Sequence, residues 1–184
     1  PCITPGEAPG GRRNPGYDSN IELRPEGATL GDTIMSYTRL MYHIVFRTKR
    51  SIPALSVEHE TSFYSYVWGI IKNKKSVLYR IGGMPDHVHI LIDLHPSLSL
   101  SDFIREMKTA TNGWLKDHHQ EFPLFIGWGD GYAAFSYSLS EKDAIINYII
   151  NQKEHHKTVS FAEEYRQFIV ANGCEVDERF FLND

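Results

Sequence analysis

From Met35 onward, apolar and polar positions repeat with two distinct periods. Tyr42, Ile44 and Phe46 alternate with His43, Val45 and Arg47, the period of two that marks a β-strand, and a polar turn follows at 48–51. Ser56 can cap a helix in which Phe63, Val67, Ile70 and Ile71 recur at helical spacing. Residues 77–81 read as a second strand, and Gly82-Gly83 marks a hairpin-like link to a third over 87–94. Ser99 or Ser101 opens a second helix with Phe103, Ile104, Met107, Trp114 and Leu115 on its apolar side. A loop rich in glycine and aromatics over 122–131 leads to a fourth strand over 132–139. Ser140 with Asp143 fits a capping box for a third helix running to His156, and Ser160 with Glu163 repeats that signal for a last helix, which Gly173 would stop. The order predicts an α+β fold of the ferredoxin-like, split βαββαβ kind. Its antiparallel sheet carries two helices on one face and is followed by additional C-terminal helices. The other face is expected to be open, a platform that many nucleic-acid modules use.

Residues 1–34 lack any sustained period and hold five prolines and six glycines, among them Pro5, Pro25, Gly10 and Gly31. Such a stretch buries too little apolar surface to offset its ordering entropy. It is expected to be a flexible arm or a non-native extension, with one domain over 35–184.

Composition narrows the class. A chain of 184 residues with 41% hydrophobic and 23% charged residues has the make-up of one globular domain. No apolar run approaches the roughly 20 residues of a membrane span, and no signal pattern opens the chain, so a cytoplasmic location is expected. Cys2 and Cys174 form neither a disulfide framework nor a zinc spacing. The net charge of −4 argues against a protein that coats nucleic acid, though a local basic groove remains compatible with it.

Candidate chemistry begins on the third strand, Asp86-His-Val-His-Ile-Leu-Ile-Asp93. Alternation puts His87, His89, Leu91 and Asp93 on one side and Val88, Ile90 and Ile92 on the other. The two imidazoles leave the backbone about 7 Å apart and can converge on one metal if their rotamers lean together. The bland alternative is a strand whose outer face is polar by chance; the unbroken aliphatic face opposite argues for a rigid central strand. In the third helix, Ile145, Ile146, Ile149 and Ile150 form the apolar stripe. Tyr148 and Gln152 are four apart and share a face, a phenol able to act as nucleophile and a neutral oxygen able to complete a metal shell. An amphipathic helix with a half-packed tyrosine and a solvated glutamine gives the same pattern. His155 and His156 are either substitute ligands or cationic residues suited to a helix end.

Taken together, these features resemble the HUH single-tyrosine transposases of small bacterial insertion sequences and their relatives associated with repeated palindromes. The resemblance covers Met35 to the C-terminus. It rests on Pro85-Asp86-His87-Val88-His89, on the element order, on Tyr148 with Gln152 after the fourth strand, and on Gly131-Tyr-Ala-Ala-Phe-Ser-Tyr-Ser. It implies a divalent metal, Mg²⁺ or Mn²⁺, held by His87, His89 and Gln152, with Tyr148 attacking single-stranded DNA to leave a 5′-phosphotyrosine. It further implies hairpin-flanked substrates, a nucleoid-associated location, and a homodimer whose composite sites exchange the tyrosine helix.

Between 39 and 80, basic residues outnumber acidic ones, and Arg47, Lys49, Arg50, Lys72, Lys75 and Arg80 are candidates to track a phosphate backbone. Trp128, in a glycine-flanked loop, is the candidate exposed stacking platform. Two other functions fit the same residues: a ferredoxin-like single-stranded nucleic-acid-binding protein that has lost catalysis, and a metal phosphodiesterase acting on a small molecule.

Overall fold

The computed structural model describes residues 37–179 and 181–183, so the expectation for residues 1–34 lies outside the described residues. The element order is β1 (Met41–Arg47), α1 (Glu60–Asn73), β2 (Val77–Met84), β3 (His87–Asp93), α2 (Leu100–Asp117), β4 (Ala133–Ser136), α3 (Lys142–Ile150), α4 (Gln152–His155) and α5 (Phe161–Ala171). The sheet runs β2-β3-β1-β4 with antiparallel neighbours, the predicted ferredoxin-like order, and β3 is central as expected.

Register decides what each face carries. Ile44 pairs with Ile90 and Phe46 with Val88. Directly paired residues share a face, so these four form an apolar surface. It packs against Phe63, Val67 and Ile71 of α1 and Phe103, Ile104, Met107 and Leu115 of α2. On the other face His43 pairs with Leu91, Val45 with His89, and Arg47 with His87.

That second face is covered, contrary to expectation. Ile145 and Ile149 of α3 join Met41 and Leu91 in a separate buried cluster, so α3 has an apolar floor on the sheet and closes it. Gly82, paired with His89, permits the close approach: a Cβ there would lie 2.9 Å from Ile149 Cγ2 and 3.1 Å from its carbonyl oxygen. The glycine pair therefore lies inside β2 rather than linking two strands, and the turn falls at Pro85-Asp86. Both turn carbonyls are held, Pro85 by the Leu55 N–H and Asp86 by the Thr48 N–H, each at 2.8 Å.

Smaller differences have local causes. α1 begins at Glu60 because residues 56–59 close a separate turn, His59 N–H to the Ser56 carbonyl. The capping box before α3 is Ser138 with Glu141, not Ser140 with Asp143, since a 3₁₀ turn at Leu139–Glu141 precedes the helix. The predicted third helix is interrupted at Asn151 (φ −89°, ψ 11°), and Ile150 faces solvent. Ser99 and Ser160 cap α2 and α5 as predicted, and Gly173 follows α5 with φ 77°. Among the described residues, no helix is long and apolar enough to cross a membrane.

Candidate metal and nucleophile site

Strand alternation places His87 and His89 side by side beneath α3–α5, 0% and 1% exposed. His87 Nδ1 lies 2.7 Å from Asp86 Oδ1, so the carboxylate holds the Nδ1 proton and leaves Nε2 with its lone pair. His89 Nδ1 is 3.0 Å from His43 Nε2, an imidazole pair that shares one proton and fixes the His89 ring. Burial lowers His89 to about 4 against the raising effect of Glu164, and burial likewise lowers His43. Both rings are neutral at pH 7, the form that ligates metal.

Helix α3 brings Tyr148 to the same place. Its ring centroid is 5.8 Å from that of His89 and 6.1 Å from that of His43. Gln152 follows one turn on and is 1% exposed, so the helix break at Asn151 does not separate the pair. His87 Nε2, His89 Nε2 and Gln152 Oε1 are buried and accept no hydrogen bond. Three unsatisfied buried acceptors each cost about 1–3 kcal/mol unless a cation takes their lone pairs. Two imidazoles and an amide oxygen therefore fit a divalent ion, and the three predicted ligands are brought together.

Two site residues escaped the sequence reading. Glu164 of α5, 3% exposed, stands at the centre of the cluster. Its Oε1 accepts from the Tyr148 hydroxyl and, at 2.7 Å, from Gln152 Nε2. Its Oε2 lies 2.8 Å from His156 Nε2. Burial acts to raise Glu164, but the adjacent His89 and the Tyr148 and Gln152 donors outweigh it and hold the carboxyl well below its usual range. Burial first, then Glu164, pushes the Tyr148 phenol well above its ordinary value. His156 is not an exposed helix-end cation: its side chain is 5% exposed, and its Nδ1 donates to the Val159 carbonyl at 2.9 Å. His87, His156 and Glu164 each place a ligand atom within 4.8 Å of the others. The available signal for Glu164 was an acid inside the apolar stripe Phe161, Tyr165, Phe168. His43 gave none beyond alternation.

A cleft of about 440 Å³ opens beside the phenol, lined by His43, Tyr137, Tyr148, His155, Glu164 and Phe168. Tyr148 is thus half-buried yet faces accessible space.

The basic candidates divide into separate groups. Arg47 pairs with His87, so Arg47, Lys49 and Arg50 lie at the histidine end of the sheet. Lys72 and Lys75 precede Val77, which pairs with Asp93 at the far end, about 20 Å of strand away. Arg80 is exposed midway along the edge strand, while Arg47 is itself buried. Trp128 is no exposed platform: it is 8% exposed, 4.8 Å from Phe46 ring to ring, and donates from Nε1 to Thr111 Oγ1 at 3.0 Å.

Solved structures of similar fold include these two. One, from Deinococcus radiodurans R1 and described as a candidate transposase, is 24% identical with a TM-score of 0.51, covering 70% of this chain and 98% of that one. The other, a REP-associated tyrosine transposase bound to a REP hairpin, is 13% identical with a TM-score of 0.52, covering 77% of this chain and 86% of that one. Among curated proteins there is no match. The family described as "Transposase IS200 like" matches residues 36–152, more than half of the chain and inclusive of His87, His89, Tyr148 and Gln152. The chain belongs to the IS200-like transposase family.

Proposed function

We propose that the protein cleaves and rejoins single-stranded DNA through a 5′-phosphotyrosine on Tyr148. The observation that carries this is the convergence of a cleft-facing phenol with three buried acceptors lacking hydrogen-bond partners, His87 Nε2, His89 Nε2 and Gln152 Oε1. His87, His89 and Gln152 would hold Mg²⁺ or Mn²⁺. When bound, that ion supplies Lewis-acid neutralisation of a phosphate oxygen.

The chain's own residues orient the nucleophile. Glu164 accepts the Tyr148 proton in a hydrogen bond and aims the phenol from α3 across to α5. Attack forms the Tyr148 O–P bond and breaks the P–O3′ bond, while the phenol proton ends on the departing 3′ oxygen. Reversal by another 3′-OH rejoins strands without an external energy source. His43 holds the His89 ring, and Asp86 holds that of His87.

By likeness to the hairpin-bound relative, the proposed substrate is single-stranded DNA flanked by a hairpin. Tyr148 stands against the histidines of its own chain, which supports a site completed within one protomer. A homodimer would then pair two complete sites rather than exchange helices. Retention of the whole residue set favours catalysis over the inactive binding protein. The test is a denaturant-resistant adduct with a single-stranded oligonucleotide that requires Mn²⁺ or Mg²⁺ and is lost with chelator. A chain that cleaves such DNA equally well as Tyr148→Phe refutes the assignment.

A further inference from the structure

The Glu164 carboxylate faces two imidazole nitrogens as well as its hydrogen-bond donors. Glu164 Oε2 is 3.5 Å from His87 Nε2, and Glu164 Oε1 is 3.6 Å from His89 Nε2. With the His87 proton held at Nδ1 by Asp86, Nε2 presents an acceptor to an anionic acceptor. Such a meeting is repulsive unless a cation stands among the atoms. Each separation fits one, with a different carboxylate oxygen toward each histidine. Donors bonded to a single ion at about 2.0–2.2 Å and near-tetrahedral angles lie about 3.5 Å from each other. We propose that Glu164 is itself a metal ligand, binding one ion together with His87 and His89.

Several features support a ligand rather than a spacer. Both oxygens are engaged on the histidine side, one near each imidazole. His156, fixed by Val159, sits behind Oε2 at 2.8 Å and orients the carboxylate, as outer partners of ligating groups do. Ser160 and the cap it forms set the first turn of α5, so Glu164 is delivered from a helix end with little freedom. Two imidazoles with one carboxylate form a donor set that binds Mn²⁺ and other first-row ions better than Mg²⁺, which prefers oxygen. The Tyr148 hydroxyl uses the same Oε1, so ligation by Glu164 and its hydrogen bond to the phenol compete.

The inference rests on the proposed metal role of His87 and His89, and is independent of Tyr148 being the nucleophile. Its test is calorimetric titration of the metal-stripped full chain with Mn²⁺ and separately with Mg²⁺, with electron paramagnetic resonance of free Mn²⁺ as a check. Wild type should bind one Mn²⁺ per chain, more tightly than Mg²⁺. Glu164→Gln keeps the shape and the amide-compatible hydrogen bonds. It should weaken Mn²⁺ binding by about 10–100-fold and reduce the preference for Mn²⁺. Affinity within about threefold of wild type overturns the proposal and leaves Glu164 an anchor for Tyr148 and His156. Should Glu164→Gln fail to fold, Tyr148→Phe decides. Removing the competing hydroxyl tightens Mn²⁺ binding by about tenfold if Glu164 is a ligand, and unchanged affinity overturns it. Affinities unaffected by Glu164→Gln would sink this inference while leaving adduct formation intact. Absence of the adduct with normal metal affinities would sink only the nuclease reading.

Discussion

The Tyr148 hydroxyl donates to Glu164 Oε1, tying the last turn of α3 to the first turn of α5 beside His89. Sixteen residues of chain separate the two, and the connection spans the break at Asn151. The carboxylate that receives this bond also accepts from Gln152 and meets His156, so one buried acid organises every helix that closes the site. The resting phenol is consequently un-ionised, and its reactivity depends on what else claims Glu164.

Tyr148→Phe should therefore abolish the covalent DNA adduct while leaving the chain folded. Its stability should fall by about 1.5–3 kcal/mol, the net contribution of one hydrogen bond to a charged group. Denaturing gels read the first effect and urea melts the second. Persistent adduct would move the nucleophile elsewhere; unfolding would make Tyr148 chiefly structural.

The histidine pair and the glutamine were legible because their signals are local: alternation in β3, and a four-residue step in one helix. Glu164 was hidden by its neighbours. Ser160 and Glu163 read as an ordinary cap, and an acid amid Phe161, Tyr165 and Phe168 gains meaning only when a second element supplies partners. Trp128 misled for the converse reason. Flanking glycines suggest an exposed loop, yet Thr48 bridges Trp128 and draws its ring under Phe46. The covered sheet face was equally illegible, since nothing in a periodic isoleucine stripe says which floor it lies on.

Trp128→Ala should destabilise the protein by about 3–5 kcal/mol, the cost of truncating a large core side chain. Any loss of DNA binding should follow the unfolded fraction. A variant of unchanged melting temperature with weakened DNA affinity would restore Trp128 as a contact.

Gly82→Ala places a methyl against Ile149 and should lift α3 from β2 at a cost of about 1–3 kcal/mol. Because Tyr148 precedes Ile149, adduct formation should slow by at least about tenfold, since a displacement near 1 Å costs up to about a hundredfold. Single-turnover cleavage at saturating DNA and metal measures this. Wild-type rates would show that α3 tolerates the shift.

The two ends of the sheet should differ in their response to lost charge. Lys49→Ala, at the histidine end, should weaken single-stranded DNA binding and reduce the magnitude of the salt slope by about 0.7. Lys72→Ala, at the far end, should change neither. Binding isotherms at several salt concentrations discriminate them, and equal effects would mean that the strand crosses the whole sheet.

Acid should destabilise the metal-stripped chain in a defined window. His89 has its folded value lowered to about 4 by burial, and His43 is lowered as well. The unfolded chain then takes up protons near the ordinary histidine value of 6.5 while the folded chain does not. The stabilisation is present in full above that value and is lost as pH falls toward about 4. His89 alone contributes up to about 3 kcal/mol across this range. Glu164, also lowered, adds its loss only below the usual carboxylate range, so the histidine effect comes first on acidification. Urea midpoints in chelator at pH 7.5, 6 and 5 should decline steadily. Replacing His43 with Asn should flatten part of that decline, because an amide carries a donor without taking up a proton. A midpoint that stays constant or rises between pH 7.5 and 5 would mean that the pair is protonated in the folded chain, and the neutral, metal-ready state assigned to it would be wrong.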